Sequence, residues 1–387
     1  MAEAYRSIAE CFQARTGKVL ELEILPSAFQ PSPTTQPSSV LVDGCSVGVF
    51  KQALIQALPH ARAAFQVLDD RRLPIGDAVL NASHVLLLFD PEFLTAANAR
   101  KRRLLALKAA ADRPGQGQGQ GQGALHRAVR DEMAVLDSFF TSPLHRHTKS
   151  PTLWHHRRWI VSTFYPELRH APEKAEEPVE AEQGFHDAEL AVVIKAGERH
   201  PKNYYAWTYA RWLLTFLLRS SSTTPSLLVE QSILSTATDK VTDWCLRNPS
   251  DVSGWDFLWY LLGWKAPSTS PPPALPISAP TPPTQPRSRK YELLEHILNV
   301  AMTYEWTHEA AWAFLRTAIA SDAALTLRER LGLLAQLRIS RNEASLIALE
   351  AHETGKVCDG MVERTVLWIE TRTGGELTDL AREGSMI

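Results

Sequence analysis

Residues 202–212 read Lys-Asn-Tyr-Tyr-Ala-Trp-Thr-Tyr-Ala-Arg-Trp, and Pro201 comes directly before them. Proline is tolerated in the first turn of a helix, where its missing N–H has no intrahelical partner to lose. Trp207 and Arg211 are four residues apart, so both side chains lie on one face of a helix. The stretch therefore predicts a helix that begins with a tryptophan and a cation on the same face.

The same pattern returns along the chain in five copies. The tryptophan place, which we call the anchor, is held by Ala97, Trp154, Trp207, Trp255 and Trp312. Four residues after each anchor stand Lys101, Arg158, Arg211, Trp259 and Arg316. Successive anchors are 57, 53, 48 and 57 residues apart, and a repeat period of about this size indicates a helical-repeat array. We predict that the anchors are structural wedges between neighbouring helical hairpins.

This period predicts an all-α fold, a right-handed superhelical α-solenoid in which helical hairpins form a crescent. We predict that the solenoid spans residues 47–375, with mobile insertions at 114–123, 170–183 and 266–288. Residues 1–46 carry little core pattern and predict a variable, partly disordered segment. Within it, residues 2–10 favour a short helix and residues 19–25 alternate like a strand.

The bulk composition excludes several classes of function. A net charge of −2 over 387 residues gives no general attraction to nucleic acid or to an anionic membrane. The four cysteines are scattered without a CxxC pair, which argues against a zinc site or a disulfide framework. The sequence shows no signal peptide and no apolar run of about 18 residues. We expect a soluble, cytoplasmic protein with no metal, no nucleic-acid partner and no transmembrane segment.

The second and third copies resemble the repeats of protein prenyltransferase alpha subunits. The matching residues are Trp154-His155-His156-Arg157-Arg158 and Lys202-Asn203-Tyr204-Tyr205-Ala206-Trp207 with Arg211-Trp212. The family pattern is roughly Pro-Lys-Asn-Tyr, two residues, Trp, two residues and Arg-Arg. The likeness covers residues 85–320, although the first copy lacks the tryptophan and the fourth lacks the arginine pair. The long insertions and divergent N-terminal third resemble the repeat-containing alternative alpha subunits more than the common farnesyltransferase one.

This resemblance implies the alpha subunit of a heterodimeric protein geranylgeranyltransferase. Such a subunit scaffolds a beta subunit, here expected to be of the Rab geranylgeranyltransferase type, and the beta subunit carries the catalytic zinc. The pair moves an isoprenyl group from its diphosphate to a cysteine near the C-terminus of a protein. The acceptor that the resemblance implies is a SNARE protein that already carries a farnesyl group. The sequence itself leaves the beta subunit, the isoprenoid length and the acceptor open.

The resemblance also assigns site residues. In the family, a lysine five residues before the second-repeat tryptophan contributes to catalysis, and Lys149 holds that place. Lys202 has the same spacing in the third copy, where it is followed by Asn203 and Tyr204, and these three are the implied substrate-binding residues. A lysine before a helix N-terminus adds its charge to free backbone N–H groups, which suits a departing diphosphate. Residues 150–151 depart from the family pattern, so the backbone path at Lys149 is in question.

Other interpretations stand beside this one. A lysine at a helix start is usually a solvated surface residue. One alternative is a non-catalytic helical-repeat scaffold without a beta partner, and the divergence of the copies at Ala97 and Val252 favours it. A tetratricopeptide adaptor is a weaker alternative, because its period near 34 residues does not fit the spacings of 48 to 57. His155 and His156 resemble a metal pair, but adjacent residues point about 100° apart on a helix. We predict that the three arginines of these copies form salt bridges or face a partner: Arg157, Arg158 and Arg211.

Overall fold

The protein was described from a computed structural model. It describes residues 2–29, 39–68, 76–113, 118–169, 178–219, 227–264, 288–321, 325–351 and 357–373. The chain divides into two compact units, residues 1–233 and 234–387. Parts of the three predicted insertions, residues 114–117, 170–177 and 266–287, lie outside the described residues.

The first unit begins with a small layer of mixed structure. Helix α1 (Ala2–Gln13) precedes strand β1 (Glu21–Leu25), a short 3-10 turn, β2 (Val40–Asp43) and β3 (Ser46–Phe50). The strand order is β1-β3-β2, with β1 parallel and β2 antiparallel to β3. Helix α2 (Lys51–Leu68) follows.

This layer corrects two predictions about the N-terminal region. Ile8, Phe12 and Leu22 are buried, so residues before 46 contribute to the core, because α1 is amphipathic and β1 turns Leu22 inward. The solenoid was also predicted to begin at Val47, but residues 46–50 form strand β3 and the helix starts at Lys51. The helix predicted at 2–10 and the strand predicted at 19–25 are present.

Helical hairpins fill the rest of the first unit. Their helices are α3 (Asp77–Phe89), α4 (Leu94–Ala111), α5 (Gln118–Phe140), the short α6 (His145–Thr148), α7 (Pro151–Arg169), α8 (Pro178–Arg199) and α9 (Tyr204–Arg219). Residues 118–123 and 178–183 were predicted to belong to mobile insertions, but they form the first turns of α5 and α8. In the Gly-Gln run, α5 begins close against the end of α4. Glycine permits this close approach, because a Cβ on Gly121 would lie 3.2 Å from the Cα of Ala111.

Helix α10 (Leu227–Arg247) spans the division, and further hairpins make up the second unit. Their helices are α11 (Val252–Leu262), α12 (Arg289–Thr303), α13 (Glu309–Ala320), α14 (Leu327–Ala351) and α15 (Val357–Arg372). The second helices of consecutive hairpins pack side by side, α4 on α7 on α9 in one unit and α11 on α13 on α15 in the other. The predicted all-α solenoid of helical hairpins is confirmed, while its handedness and crescent shape stay predictions.

The anchors lie in the core as predicted. Trp154, Trp207, Trp255 and Trp312 are each at most 3% exposed. The ring of Trp154 stacks on Phe140 at the end of α5, with centroids 3.8 Å apart. A buried indole of this kind contributes several kcal/mol to the hydrophobic core, on the order of 3–5.

Candidate functional site

The turn before each anchor helix is built around a capping side chain. We call residues four to six positions before an anchor the cap turn. In three copies the residue four before the anchor accepts a backbone hydrogen bond from the first helical turn: Ser150 Oγ from Leu153 N (3.1 Å), Asn203 Oδ1 from Ala206 N (3.3 Å) and Asp251 Oδ1 from Ser253 N (2.9 Å). Each side chain satisfies an N–H that the helix itself leaves unpaired.

In the second, fourth and fifth copies the anchor indole bonds the helix to its own cap turn. Trp154 Nε1 donates to the carbonyl of Thr148 at 2.9 Å. The same bond, to the carbonyl six residues before the anchor, joins Trp255 to Pro249 (3.0 Å) and Trp312 to Trp306 (2.8 Å). The anchor is therefore a hydrogen-bonding residue as well as a wedge, which explains tryptophan at this place instead of another large apolar side chain.

Capping residues also join one copy to the next. Asn203 Nδ2 donates to the carbonyl of Thr148 at 3.0 Å, and Ser150 Oγ donates to the carbonyl of Pro91 at 3.2 Å. Both acceptors stand six residues before the anchor of the preceding copy. The carbonyl oxygen of Thr148 thus accepts two hydrogen bonds, one from Trp154 and one from Asn203. These two bonds fix the second cap turn against the third.

Lys149 is the residue directly after Thr148, whose carbonyl accepts these two hydrogen bonds. Its ammonium donates to the carbonyl of Pro201 at 2.8 Å, so the side chain crosses from the second cap turn to the third. The departure from the family pattern leaves the turn intact, because Ser150 caps the helix and Pro151 occupies its first position, where proline is favoured. Lys149 is half-buried and accessible at the surface.

The three other implied binding residues have different exposures. Lys202 is exposed and has a φ of 59°, the left-handed conformation. Tyr204 is 58% exposed. Asn203 is fully buried with its amide engaged on both sides, and its role in substrate binding stays a prediction. Asn203 holds the backbone that presents Lys202 and Tyr204.

A buried polar network links consecutive copies behind the cap turns. Arg100, three residues after the first anchor, pairs with Glu132 (2.7 Å), and Arg157, three after the second, pairs with Glu189 (2.8 Å). Both pairs are 32 residues apart in sequence. Arg157 also binds Asp137 at 2.5 Å, which confirms the salt bridges predicted for this arginine.

The residue two places after the next anchor completes each pair. His156 Nε2 lies 2.8 Å from Glu132 Oε1, and Tyr209 donates to Glu189 Oε2 at 2.5 Å. Burial raises the pKa of Glu132, but Arg100 and His156 together hold it well below its usual value. Burial lowers the pKa of His156. This histidine belongs to the network, whereas the exposed His155 contacts the carbonyl of Pro151, so the two do not form a metal pair.

Cations four places after the anchors lie over aromatic rings of the neighbouring helix. Lys101 Nζ is 5.4 Å from the ring of Trp159, and Arg158 Cζ is 4.9 Å from that of Trp212. The salt bridge predicted as one option for Arg158 is replaced by this cation–π contact, because an aromatic residue stands five places after the next anchor. In the second unit, Arg316 pairs with Glu309 at 2.6 Å and lies 5.7 Å from the ring of Trp368. Arg211 is half-buried.

Two negative findings concern the described residues. They contain no group of three or more histidine, cysteine or acidic side chains placed to hold a metal ion. None of the helices in the described part of the chain is both long and apolar enough to cross a membrane.

Two family models match the chain in this region. The protein prenyltransferase alpha subunit repeat matches residues 138–164, which include Lys149, Trp154 and Arg158. The ECM9 middle domain matches residues 153–271. The chain therefore carries a repeat of the type that the sequence pattern predicted.

Whole proteins with this repeat are similar to the chain. The protein prenyltransferase alpha subunit repeat-containing protein 1 of Homo sapiens is 26% identical over 263 residues, which is 66% of this chain and 57% of that protein. Its counterpart in Danio rerio is 23% identical over 273 residues, 69% of this chain and 56% of that protein. The chain thus spans about half the length of the curated relatives it matches. The predicted resemblance to this group is confirmed.

A solved structure also aligns with the chain. It is the Candida albicans protein geranylgeranyltransferase-I complexed with GGPP, 14% identical, with 91% of this chain and 100% of that chain covered and a TM-score of 0.31.

Proposed function

We propose that this chain is the alpha subunit of a heterodimeric protein geranylgeranyltransferase. The observation that carries the proposal is Lys149, whose ammonium reaches from the second cap turn to the third and ends on the carbonyl directly before Lys202. Two lysines from consecutive copies thus stand at neighbouring helix starts. Charge and free N–H groups at such places favour a diphosphate.

In the proposed reaction, a cysteine thiolate of the acceptor protein attacks C1 of the isoprenyl diphosphate. The S–C1 bond forms as the C1–O bond breaks, and the diphosphate leaves with the electron pair. Zinc, which would lower the pKa of the thiol, is proposed to be held by the beta subunit. Lys149 would neutralise charge on the leaving diphosphate, since a preorganised cation stabilises charge that develops in the transition state.

The hydrogen-bonding capacity of Lys149 fits this role. An ammonium has three donors, and the carbonyl of Pro201 uses one. Two donors are left for phosphate oxygens while the side chain stays anchored. The backbone before it is fixed, because Thr148 O accepts from both Trp154 and Asn203.

The surface after Lys202 fits a protein partner. Tyr204 and Tyr205 are 58% and 45% exposed at the start of α9, and aromatic residues are enriched in protein interfaces. We propose a beta subunit of the Rab geranylgeranyltransferase type as the partner, and a protein with a C-terminal cysteine, such as a SNARE, as the acceptor. A cytoplasmic location fits the free cysteines, Cys11, Cys45 and Cys245.

A non-catalytic scaffold is the second candidate. The observation that favours it is the loss of the network arginine from the third copy onward, where Ala210, Leu258 and Leu315 hold the place of Arg100 and Arg157. A scaffold would keep the hairpins and bind a partner without contributing to catalysis.

The deciding experiment is co-expression with a Rab geranylgeranyltransferase beta subunit, followed by size exclusion and a geranylgeranyl transfer assay. We expect a 1:1 complex with activity, and a Lys149→Ala complex that forms equally well but transfers slower, by a factor on the order of ten to a hundred. The matched control is Lys51→Ala, which removes an exposed lysine from the start of α2. No complex would favour the scaffold. A complex without activity would count against a catalytic role with this acceptor, and equal rates for Lys149→Ala and the wild type would remove Lys149 from the mechanism.

A further inference from the structure

The first unit contains a cavity away from the cap turns. It has a volume of about 290 Å³ and lies between α1, the turn at residues 15–18, and helices α3, α4 and α5. Its lid is the N-terminal layer, which the repeat pattern does not cover. None of the four implied site residues lines it.

A buried histidine lines this cavity with an unsatisfied nitrogen. His84 is 6% exposed, and its ring stacks on Phe12 with centroids 4.7 Å apart and planes 5° apart. Its Nδ1 has no hydrogen-bond partner among the described residues. Burial, followed by the charge of Arg100, lowers the pKa of His84 well below its usual value, so the ring is neutral. An unsatisfied buried nitrogen is costly, and a polar ligand atom would remove that cost.

Opposite charges face the same space. Arg103 on α4 and Asp131 on α5 both line the cavity. Within the described ranges neither makes a hydrogen bond or an ion pair at contact distance, although burial raises the pKa of Asp131 and the charge of Arg103 lowers it. The turn approaches Asp131 closely, since a Cβ added to Gly17 would lie 3.0 Å from Asp131 Oδ1. Gly17 also has a φ of +75°, so glycine is needed there twice over.

Part of the remaining wall is apolar, formed by Phe12, Leu20, Leu80, Ala128 and Val135. Polar and charged side chains line the rest, among them Lys18, Asp77 and Asn81. This cation, this carboxylate and the apolar part of the wall complement a molecule that carries both charges and an apolar group. The volume is at the small end of ligand pockets, which hold about 300–1,000 Å³, and suits an amino acid better than a nucleotide.

We propose that this cavity binds a free α-amino acid, with its carboxylate at Arg103, its ammonium at Asp131 and a polar atom at His84 Nδ1. The site is separate from the cap turns. A test of this site is therefore independent of any test of the proposed transferase function.

Calorimetric titration of the full chain with each of the twenty standard L-amino acids tests this site. We expect at least one to bind, and its N-acetyl and C-amide derivatives to bind more weakly by roughly tenfold or more, because each loses one charge-assisted hydrogen bond. Failure of all twenty to bind folded protein, or equal binding of the derivatives, would overturn the proposal. This comparison uses the wild-type chain, so it does not depend on any variant folding.

Variants then locate the site. Asp131→Asn and Arg103→Gln should each weaken binding by roughly tenfold, whereas the exposed control variants Asp43→Asn and Arg6→Gln should bind as the wild type does. His84→Phe keeps a ring against Phe12 but removes both nitrogens, and it should also bind more weakly. Wild-type affinity in all three cavity variants would place the ligand elsewhere and refute the proposal.

Discussion

The first unit buries ionisable side chains at places where the second unit buries aromatic and aliphatic ones. Between residues 76 and 219 the buried ionisable groups include His84, Arg100, Glu132, His147, His156, Arg157, His186 and Glu189. Among the described residues after 234, Asp251 is the single buried side chain with a formal charge, and it caps α11. Both units nevertheless keep the indole bond of the anchor to the carbonyl six residues before it.

This difference separates what the repeat requires from what it tolerates. The anchor bond occurs in both units, so it belongs to the hairpin itself. The Arg–Glu pair occurs only in the early copies, and a buried ion pair is often no more stabilising than well-packed apolar residues. The apparent decay near Val252 is therefore a replacement of polar pairing by packing, as Gly254 against Trp244 illustrates. The later copies have lost a network without losing the fold.

The largest expected effect comes from removing a buried guanidinium. Arg157→Met leaves the half-buried Asp137 and the buried Glu189 without their cation, which should cost about 3–5 kcal/mol of unfolding free energy. The equivalent apolar position, Leu258→Met, should cost less than about 1.5 kcal/mol. Urea denaturation measures both. Adding Asp137→Asn and Glu189→Gln to the first variant should recover part of the loss, and equal costs for the two single variants would contradict the comparison.

The second effect is a pH dependence that belongs to the first unit. His147 Nε2–H donates to the carbonyls of Leu87 and Leu88, and burial lowers the pKa of His147 from 6.5 to about 4. Between these values the unfolded chain binds a proton that the folded chain does not. Stability is therefore complete above pH 6.5 and falls as the pH drops toward 4, by about 3 kcal/mol in total.

Urea unfolding at pH 7 and at pH 4.5 measures this slope. His147→Gln, which keeps an N–H donor without a titrating ring, should make the slope shallower. The control is His296→Gln, an exposed histidine of the second unit, which should leave the slope unchanged. A slope that survives in the His147 variant would assign the pH dependence to other groups.

The third effect belongs to the second unit. A methyl group on Gly254 would clash with the ring of Trp244, so Gly254→Ala should destabilise by about 1–3 kcal/mol through overpacking. Gly263→Ala is the control, since its added Cβ would make only ordinary contact, 3.4 Å from the carbonyl oxygen of Trp259. The smaller, ring-free side chain of Trp244→Leu should relieve the clash in the double variant. A neutral Gly254→Ala would mean that packing does not replace the network there.

The hairpins and anchors could be predicted from sequence because they rest on local spacing. Trp207 and Arg211 share a helix face because they are four residues apart. Lys149 is assigned by the family resemblance, from its place five residues before Trp154, and its role stays a prediction. The Arg–Glu pairs left a usable signal too, since Arg100 to Glu132 and Arg157 to Glu189 have the same separation of 32 residues.

Other features depend on contacts that no short spacing encodes. The burial of Asn203 follows from the carbonyl of Thr148, which lies 55 residues away in sequence. The N-terminal sheet pairs Leu22 with Val47 across a segment whose composition suggested disorder. The cavity at His84 needs that same layer as its lid, so a sequence interpretation that left residues 1–46 outside the core had no means to find it.

The smallest expected effect concerns the cations on the second helices. Arg158 lies over Trp212 in the first unit, and the fourth copy has Trp259 at the equivalent place. If the contact contributes only the usual energy of a cation–π pair, Arg158→Ala should cost about 0.5–1 kcal/mol. A double-mutant cycle with Trp212→Leu isolates that coupling from the other contacts of both residues. Zero coupling would mean that the cation is kept for a binding partner and not for the fold, and Arg158→Ala should then weaken complex formation while the melting temperature stays unchanged.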